Sequence, residues 1–155
     1  MPRESIVDAL QLLEIKGRLL VLPGCNGSTI IDDTYNAAPA STIAALDLLE
    51  ELPGRHIAAL GDMLELGSHQ DEGHREVGRR AAQVVHHLVA VGSLGKLIGE
   101  EALRSGLPPD RVSYAAANIE ATELLKRIVE PGDQVLVKGS RGLRMEEIVE
   151  GLKER

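Results

Sequence analysis

The sequence predicts an α/β fold in which a mostly parallel sheet carries helices on both faces and begins with an antiparallel hairpin. Short aliphatic runs alternate with segments of helical periodicity along most of the chain, which is typical of parallel strands joined by helices. Near the N-terminus, two aliphatic runs flank a turn that contains Asn26-Gly27, and this pattern indicates a hairpin. Pro39, Pro53-Gly54 and Pro131-Gly132 stand where helices are expected to begin or end.

The elements can be placed in order along the chain. Residues 5–14 predict a short amphipathic helix that Ser5 caps. The hairpin strands are predicted over about 18–22 and 28–32. Later strands are predicted over about 55–60, 87–91, 112–114 and 134–138. Later helices are predicted over about 40–52, 69–84, 95–105, 118–129 and 144–153. The result is one Rossmann-like domain.

Composition limits the function classes. The 155 residues are 43% apolar, which suffices for one packed core. A net charge of −7 disfavours a nucleic-acid partner, because such binding depends on neutralising phosphates. No apolar run reaches the roughly 20 residues of a membrane span, and no signal peptide is evident. Cys25 is the single cysteine, so a reducing, cytoplasmic location is expected.

The first loop, residues 32–39, places polar side chains between a predicted strand and a helix. Ligands of open α/β sheets bind at the carboxyl ends of the strands, where this loop falls. Contact with a nucleotide is expected, because carboxylates accept hydrogen bonds from ribose hydroxyls and an amide both donates and accepts. Helix capping is the alternative, but one cap needs one polar residue, and the loop has Asp32, Asp33, Tyr35 and Asn36.

The second loop, residues 61–67, follows the next strand. Asp62 and Glu65 could face a metal-bound phosphate or a substrate ammonium. Equally, Gly61 and Gly67 could simply shape a turn. Both interpretations stay open on the sequence.

The third loop, residues 138–142, follows the last predicted strand. Gly139 would let the backbone approach a ligand, and Ser140 offers a hydroxyl. Arg141 presents a planar fork that matches a carboxylate or phosphate, and Lys138 adds a point charge. Two cations before a helix N-terminus oppose its dipole, so a bound anion is expected here.

Metal binding and the common cofactor motifs are not favoured. His69 and His74 are five residues apart and do not share a helix face, and His86 and His87 point apart. The sequence contains neither G-x-G-x-x-G nor G-x-x-x-x-G-K-[ST]. We therefore predict no metal site and no self-sufficient triphosphate site.

Three motifs occur in order along the chain: DTYNAAP at 33–39, LGDMLELG at 60–67, and VKGSRG at 137–142 followed by Met145-Glu146. With these motifs the chain resembles the C-terminal domain of the Mur ligases. These are ATP-dependent amide-forming enzymes of peptidoglycan synthesis. The resemblance covers nearly the whole chain, and the Asp-x-Tyr-Asn-Ala form is similar to members that add D-alanyl-D-alanine. The family often has Asn where this chain has Ala38, so no role is transferred to that position.

The resemblance implies that residues 1–155 are one domain, excised or truncated from a ligase of three. A UDP-binding domain and a central ATPase domain would precede it, and the central domain would hold most of the ATP and Mg²⁺. D-Alanyl-D-alanine would be joined to UDP-N-acetylmuramoyl-tripeptide through an acyl phosphate. This chain would supply contacts but no catalytic residue, and it is expected to be inactive alone.

The resemblance also implies residue roles. The positions expected to bind ATP are Asp33, Tyr35 and Asn36. The positions expected to bind substrate are Lys138, Ser140, Arg141, Asp62 and Glu65.

The main alternative is a receiver-like phosphoacceptor or interaction module. Such folds combine paired acids, an acceptor Asp and a Lys after successive strands, which Asp32-Asp33, Asp62 and Lys138 imitate. The acceptor normally follows the third parallel strand, however, and Asp62 follows the second in the predicted order.

Overall fold

The computed structural model describes residues 19–154. Its six strands form one sheet in the order β1-β2-β6-β3-β4-β5. The strands are β1 (Leu20–Pro23), β2 (Thr29–Asp33), β3 (His56–Gly61), β4 (His87–Val91), β5 (Val112–Ala115) and β6 (Gln134–Lys138). The α-helices of this region are α1 (Pro39–Glu50), α2 (Gln70–Val84), α3 (Gly92–Arg104), α4 (Asn118–Ile128) and α5 (Glu146–Leu152). The helix predicted over 5–14 lies outside the described residues.

The strand directions confirm the predicted fold class. β1 pairs antiparallel with β2 and forms the hairpin, whereas all other pairs are parallel. β6, the last strand in sequence, lies between β2 and β3. The register aligns Asp33 with Lys138 on one side and Leu60 with Lys138 on the other. The ends of these three strands therefore meet at one edge of the sheet.

Alternating side chains divide the core into two layers. Ile31, Leu60 and Leu136 face a cluster that includes residues of α1, α2 and α3. Ile30 and Val135 face the opposite cluster, with residues of α4 and α5. The chain changes face when it runs from β5 back to β6, as right-handed crossovers require. No helix among residues 19–154 is long and apolar enough to cross a bilayer.

Two helices begin two or more residues away from their predicted starts. α3 begins at Gly92 rather than near 95, because the Asp62 side chain accepts hydrogen bonds from two backbone N–H groups of its first turn. α5 begins at Glu146 rather than near 144. The residues before it form a 3₁₀ turn (Arg141–Leu143), and Arg144 then adopts a left-handed conformation (φ 51°).

Ionisable side chains also lie at the opposite edge, at the amino ends of β3, β4 and β6. Arg55 binds both carboxylate oxygens of Asp133, at 2.9 and 2.8 Å. Burial alone would raise the pKa of Asp133, but hydrogen bonds from Arg55 and from the N–H of Glu130 outweigh it and lower the pKa. Burial, followed by the charge of His86, lowers the pKa of His87. The Nε2 of His87 lies 3.0 Å from the hydroxyl of Ser113 on the neighbouring strand.

Candidate functional site

The three loops singled out from the sequence lie side by side. They follow β2, β3 and β6, which are adjacent in the sheet, and they leave the carboxyl ends of these strands. The helix after β3 covers one face of the sheet and the helix after β6 covers the other. Such a point of divergence is where open α/β sheets bind ligands. The three loops therefore lie together at one edge of the sheet, as expected from the sequence.

Lys138 joins the third loop to the first. Its side chain is only 3% exposed. The ammonium donates to Asp33 Oδ2 over 2.8 Å and to the backbone carbonyl oxygen of Asn36 over 2.9 Å. The point charge expected to attract an anion is thus compensated inside the domain, and α5 begins beyond it with Glu146 and Glu147 in its first turn.

Ser140 joins the third loop to the second. The residue is 4% exposed, and its hydroxyl accepts a hydrogen bond of 2.8 Å from the N–H of Leu64. Its own backbone N–H donates to the carbonyl oxygen of Asp62 over 3.0 Å. Two hydrogen bonds therefore fix the second loop against the third.

Asp62 is buried, with 7% exposure, and it caps a helix. Its Oδ1 accepts hydrogen bonds from the N–H groups of Leu94 (2.9 Å) and Gly95 (2.7 Å) at the start of α3. These bonds satisfy donors that the helix itself leaves unpaired. A buried, bonded carboxylate is poorly suited to accept a phosphoryl group, which argues against the receiver-like alternative.

Gly139 serves a purpose different from the one expected. A Cβ built on Gly139 would lie 2.1 Å from the sulfur of Met145, and one on Gly61 would lie 2.5 Å from the same atom. Met145 is fully buried. These glycines make room for its side chain, so the close approach at Gly139 is to the protein's own core.

Four of the candidate side chains are open to solvent: Tyr35, Asn36, Glu65 and Arg141. The guanidinium of Arg141 lies over the ring of Tyr35, 5.3 Å from its centroid, and the Tyr35 side chain is 65% exposed. Asn36 is exposed, and its Oδ1 accepts a hydrogen bond of 2.8 Å from the N–H of Ala37. Glu65 is exposed in a left-handed conformation with φ 64°. These side chains can contact a ligand without any rearrangement of the core.

A shallow groove of about 280 Å³ runs beside the Tyr35–Arg141 pair. Its other lining residues are Leu19, Leu20, Asp32, Thr34 and Glu146. Asp32 Oδ1 accepts from the hydroxyl (2.6 Å) and the N–H (3.2 Å) of Thr34, which fixes the entry to the first loop. An exposed aromatic face beside a guanidinium and carboxylates fits the base and hydroxyls of a nucleotide. Residues 19–154 contain no group of three or more His, Cys, Asp and Glu that could hold a metal ion.

His74 supports these loops, although the sequence assigned it no role beyond that of a surface or core histidine. It is fully buried beneath the second loop and accepts a hydrogen bond from the N–H of Met63. A signal was available: His74, Val77, Gly78 and Ala81 follow helical spacing, and all are buried. A histidine within an apolar stripe indicates a satisfied buried ring.

Comparisons with known proteins agree on one family. Residues 17–141 match the family described as Mur ligase, glutamate ligase domain. The chain is 37% identical over 155 residues to the UDP-N-acetylmuramoyl-tripeptide–D-alanyl-D-alanine ligase of Bacillus subtilis (strain 168), covering 97% of this chain and 34% of that protein. The enzyme of the same name from Escherichia coli (strain K12) is 34% identical over 145 residues, covering 92% of this chain and 31% of that protein.

Solved structures give the same result. The MurF ligase from Thermotoga maritima in complex with ADP superposes with a TM-score of 0.72 at 25% identity, covering 94% of this chain and 36% of that one. A MurF structure from Acinetobacter baumannii gives 0.75 at 32% identity, covering 86% and 30%. The chain spans about a third of the length of the curated relatives that it matches. By sequence and by fold, this chain belongs to the Mur ligase family.

Proposed function

We propose that this chain is the carboxyl-terminal domain of a three-domain cytoplasmic ligase of peptidoglycan synthesis. The reaction is ATP-dependent formation of an amide between UDP-N-acetylmuramoyl-tripeptide and D-alanyl-D-alanine, through an acyl phosphate. The observation that carries this proposal is the exposed Arg141–Tyr35 pair at the meeting point of three fixed loops. The names and ligands of the relatives support the choice of substrates.

Arg141 is the group we assign to the dipeptide. It is exposed, permanently charged, and able to bind a carboxylate through two parallel N–H donors. Glu65, exposed on the neighbouring loop, supplies the opposite charge for an ammonium group. Holding the amine close to the acyl phosphate replaces a bimolecular encounter by an oriented one, which is a major source of rate enhancement.

Tyr35, Asn36 and Asp33 are assigned to the ATP side of the site. The Tyr35 ring offers an open face, and the Asn36 amide is exposed. Asp33 also binds Lys138 and so holds the first loop, while its side chain keeps 16% of its surface exposed. Mg²⁺ would enter with the nucleotide and neutralise phosphate charge, with most of its ligands on the central domain.

Lys138, Ser140 and Asp62 receive a different role from the one the resemblance implies. All three side chains are buried and bonded within the domain. We assign them to positioning the loops rather than to direct contact with the dipeptide. Closure of this edge over a central domain would then exclude water, which otherwise hydrolyses an acyl phosphate.

The test is to clone the uninterrupted reading frame that contains this sequence and to assay its product. Purified protein with ATP, Mg²⁺, UDP-N-acetylmuramoyl-tripeptide and D-alanyl-D-alanine should release phosphate and form the extended peptide. Arg141→Ala should raise KM for the dipeptide by about 10- to 100-fold, since a hydrogen bond to a charged group contributes about 1.5–3 kcal/mol. Arg127→Ala removes the same charge from an exposed site at the far end of α4 and should leave KM unchanged.

Two results would overturn the proposal. A stop codon immediately upstream would mean a free-standing protein without an ATPase domain. Equal KM values for Arg141→Ala and Arg127→Ala would remove Arg141 from the dipeptide site.

A further inference from the structure

Met63 lies at the centre of the second loop and is anchored to two helices. Its side chain is 1% exposed, and its sulfur accepts a 3.7 Å hydrogen bond from the hydroxyl of Thr42 on α1. Its backbone N–H donates to Nε2 of His74 on α2 over 2.9 Å. Gly73 adds to this junction, since a Cβ built on it would lie 2.9 Å from Pro39 and 3.0 Å from Leu66.

The partners of His74 define where its ring carries a proton. The N–H of Met63 is a donor, so Nε2 must present a lone pair. Nδ1 lies 2.6 Å from the carbonyl oxygen of Gln70, which only accepts, so Nδ1 carries the hydrogen. The imidazole is therefore neutral, with both nitrogens bonded inside a fully buried site.

The backbone that His74 holds leads directly to the candidate ligand contacts. Leu64, the next residue after Met63, donates its N–H to the hydroxyl of Ser140. Ser140 immediately precedes Arg141, and Leu64 immediately precedes the exposed Glu65. A displacement of Met63 would therefore change the spacing between the groups assigned to the dipeptide.

We propose that His74 is a positioning residue for the amine substrate, acting through Met63 and Leu64 on Ser140 and Arg141. This inference rests on the proposed function. Binding of the amine substrate would then require the His74 tautomer protonated at Nδ1, although the buried His74 is not itself a substrate contact. The ring of His74 bonds to the second loop and to its own helix and makes no hydrogen bond to the first loop, so the larger effect is expected on the amine substrate.

The first test needs only this chain, labelled with ¹⁵N. Long-range ¹H–¹⁵N spectra at neutral pH should show Nδ1 of His74 protonated and Nε2 unprotonated. Protonation at Nε2, or at both nitrogens, would overturn the proposal whatever the chain's function. This test requires no substitution and is independent of any change in folding.

Two substitutions then separate the two ring nitrogens. Glutamine places an acceptor near the position of Nε2, whereas asparagine reaches only as far as Nδ1. We expect the Met63 amide, whose acceptor is Nε2, to exchange about tenfold faster in His74→Asn, the size of one lost hydrogen bond, and to stay near the wild-type rate in His74→Gln. The adjacent Leu64 amide should follow it in both variants. His69→Asn, an exposed histidine at the start of the same helix, is the matched control.

In the complete ligase, His74→Asn should raise KM for D-alanyl-D-alanine by about tenfold, with kcat and KM for ATP little changed, and His74→Gln should restore most of the difference. If the wild-type enzyme is active and His74→Asn leaves kcat and both KM values unchanged, or changes all three together, the positioning role is overturned. An inactive wild-type enzyme, combined with the expected tautomer and exchange rates, would instead refute the ligase function and the substrate role that depends on it.

Discussion

The ammonium of Lys138 lies 2.8 Å from the carboxylate of Asp33, although the two residues are 105 positions apart in the chain. They are register partners at the last pairing of β2 with β6. The same ammonium binds the carbonyl oxygen of Asn36, so one buried cation holds both ends of the segment that carries Tyr35. This pair sets the position of the first loop relative to the third.

Asp33→Asn should destabilise the domain strongly, because it leaves the Lys138 charge buried without its partner. Breaking a buried ion pair by removing one member costs about 3–5 kcal/mol. The double variant Asp33→Asn/Lys138→Met should regain at least half of that loss. Urea unfolding of the wild type, both single variants and the double variant measures the coupling. Strictly additive losses would show that the pair is not coupled.

Ser140→Ala should lower stability by about 1–3 kcal/mol, since the N–H of Leu64 loses its acceptor. Amide exchange at Leu64 should accelerate, while exchange within β4 should change only with global stability. The exposed Ser93 offers a control, and Ser93→Ala should leave both measurements unchanged.

Asp62→Ala should destabilise the start of α3, because the N–H groups of Leu94 and Gly95 lose their cap. Loss of a cap costs about 0.5–2 kcal/mol. Asp62→Asn keeps an acceptor oxygen at the same place and should retain most of the stability. Thermal unfolding compares the variants, and equal losses for Ala and Asn would contradict a capping role.

Stability should decrease as the pH falls below about 6.5, the ordinary pKa of histidine, and His87 should contribute to this decrease. Its folded-state pKa is lowered by burial and by His86, so the unfolded chain takes up the proton first as the solution is acidified. His87→Gln keeps a polar group near Ser113 but does not titrate. Unfolding free energies from pH 8 to pH 5 should therefore fall less steeply in this variant than in the wild type.

The exposed His69 provides the comparison for that experiment. His69→Gln should leave the pH dependence as it is in the wild type. If His69→Gln and His87→Gln flatten the profile equally, burial of His87 is not the cause.

Local sequence patterns were sufficient to predict the fold. Strand and helix alternation, the Asn26-Gly27 turn and the Pro-Gly stops act over a few residues, and the structure confirms the elements they predict within residues 19–154. The larger error, at the start of α3, had a distant cause. α3 extends back to Gly92 because Asp62, thirty residues earlier in the chain, satisfies its first amides. Capping by a residue of another element leaves no local signal.

The sequence predicted where the candidate site lies, but not which residues bond to one another within it. Polar loops after successive strands correctly indicated the edge where they meet. The sequence could not show that Lys138 and Ser140 are bonded inward, because Asp33 and Leu64 become their neighbours only in the folded sheet. For the same reason, Gly139 suggested a nearby ligand when the neighbour is Met145. The exposed Tyr35, Asn36, Glu65 and Arg141 stay predicted contacts.

The stacking of Arg141 on Tyr35 also gives the domain an optical reporter. The chain has two tyrosines and no tryptophan, so its intrinsic fluorescence comes from Tyr35 and Tyr114 alone. Tyr114 lies on β5 with its ring against Gly99, away from the loops. Replacing Tyr114 by Leu would leave a single emitter beneath the guanidinium. Any anion that draws Arg141 off the ring would then register directly in the emission, without a dye or a label.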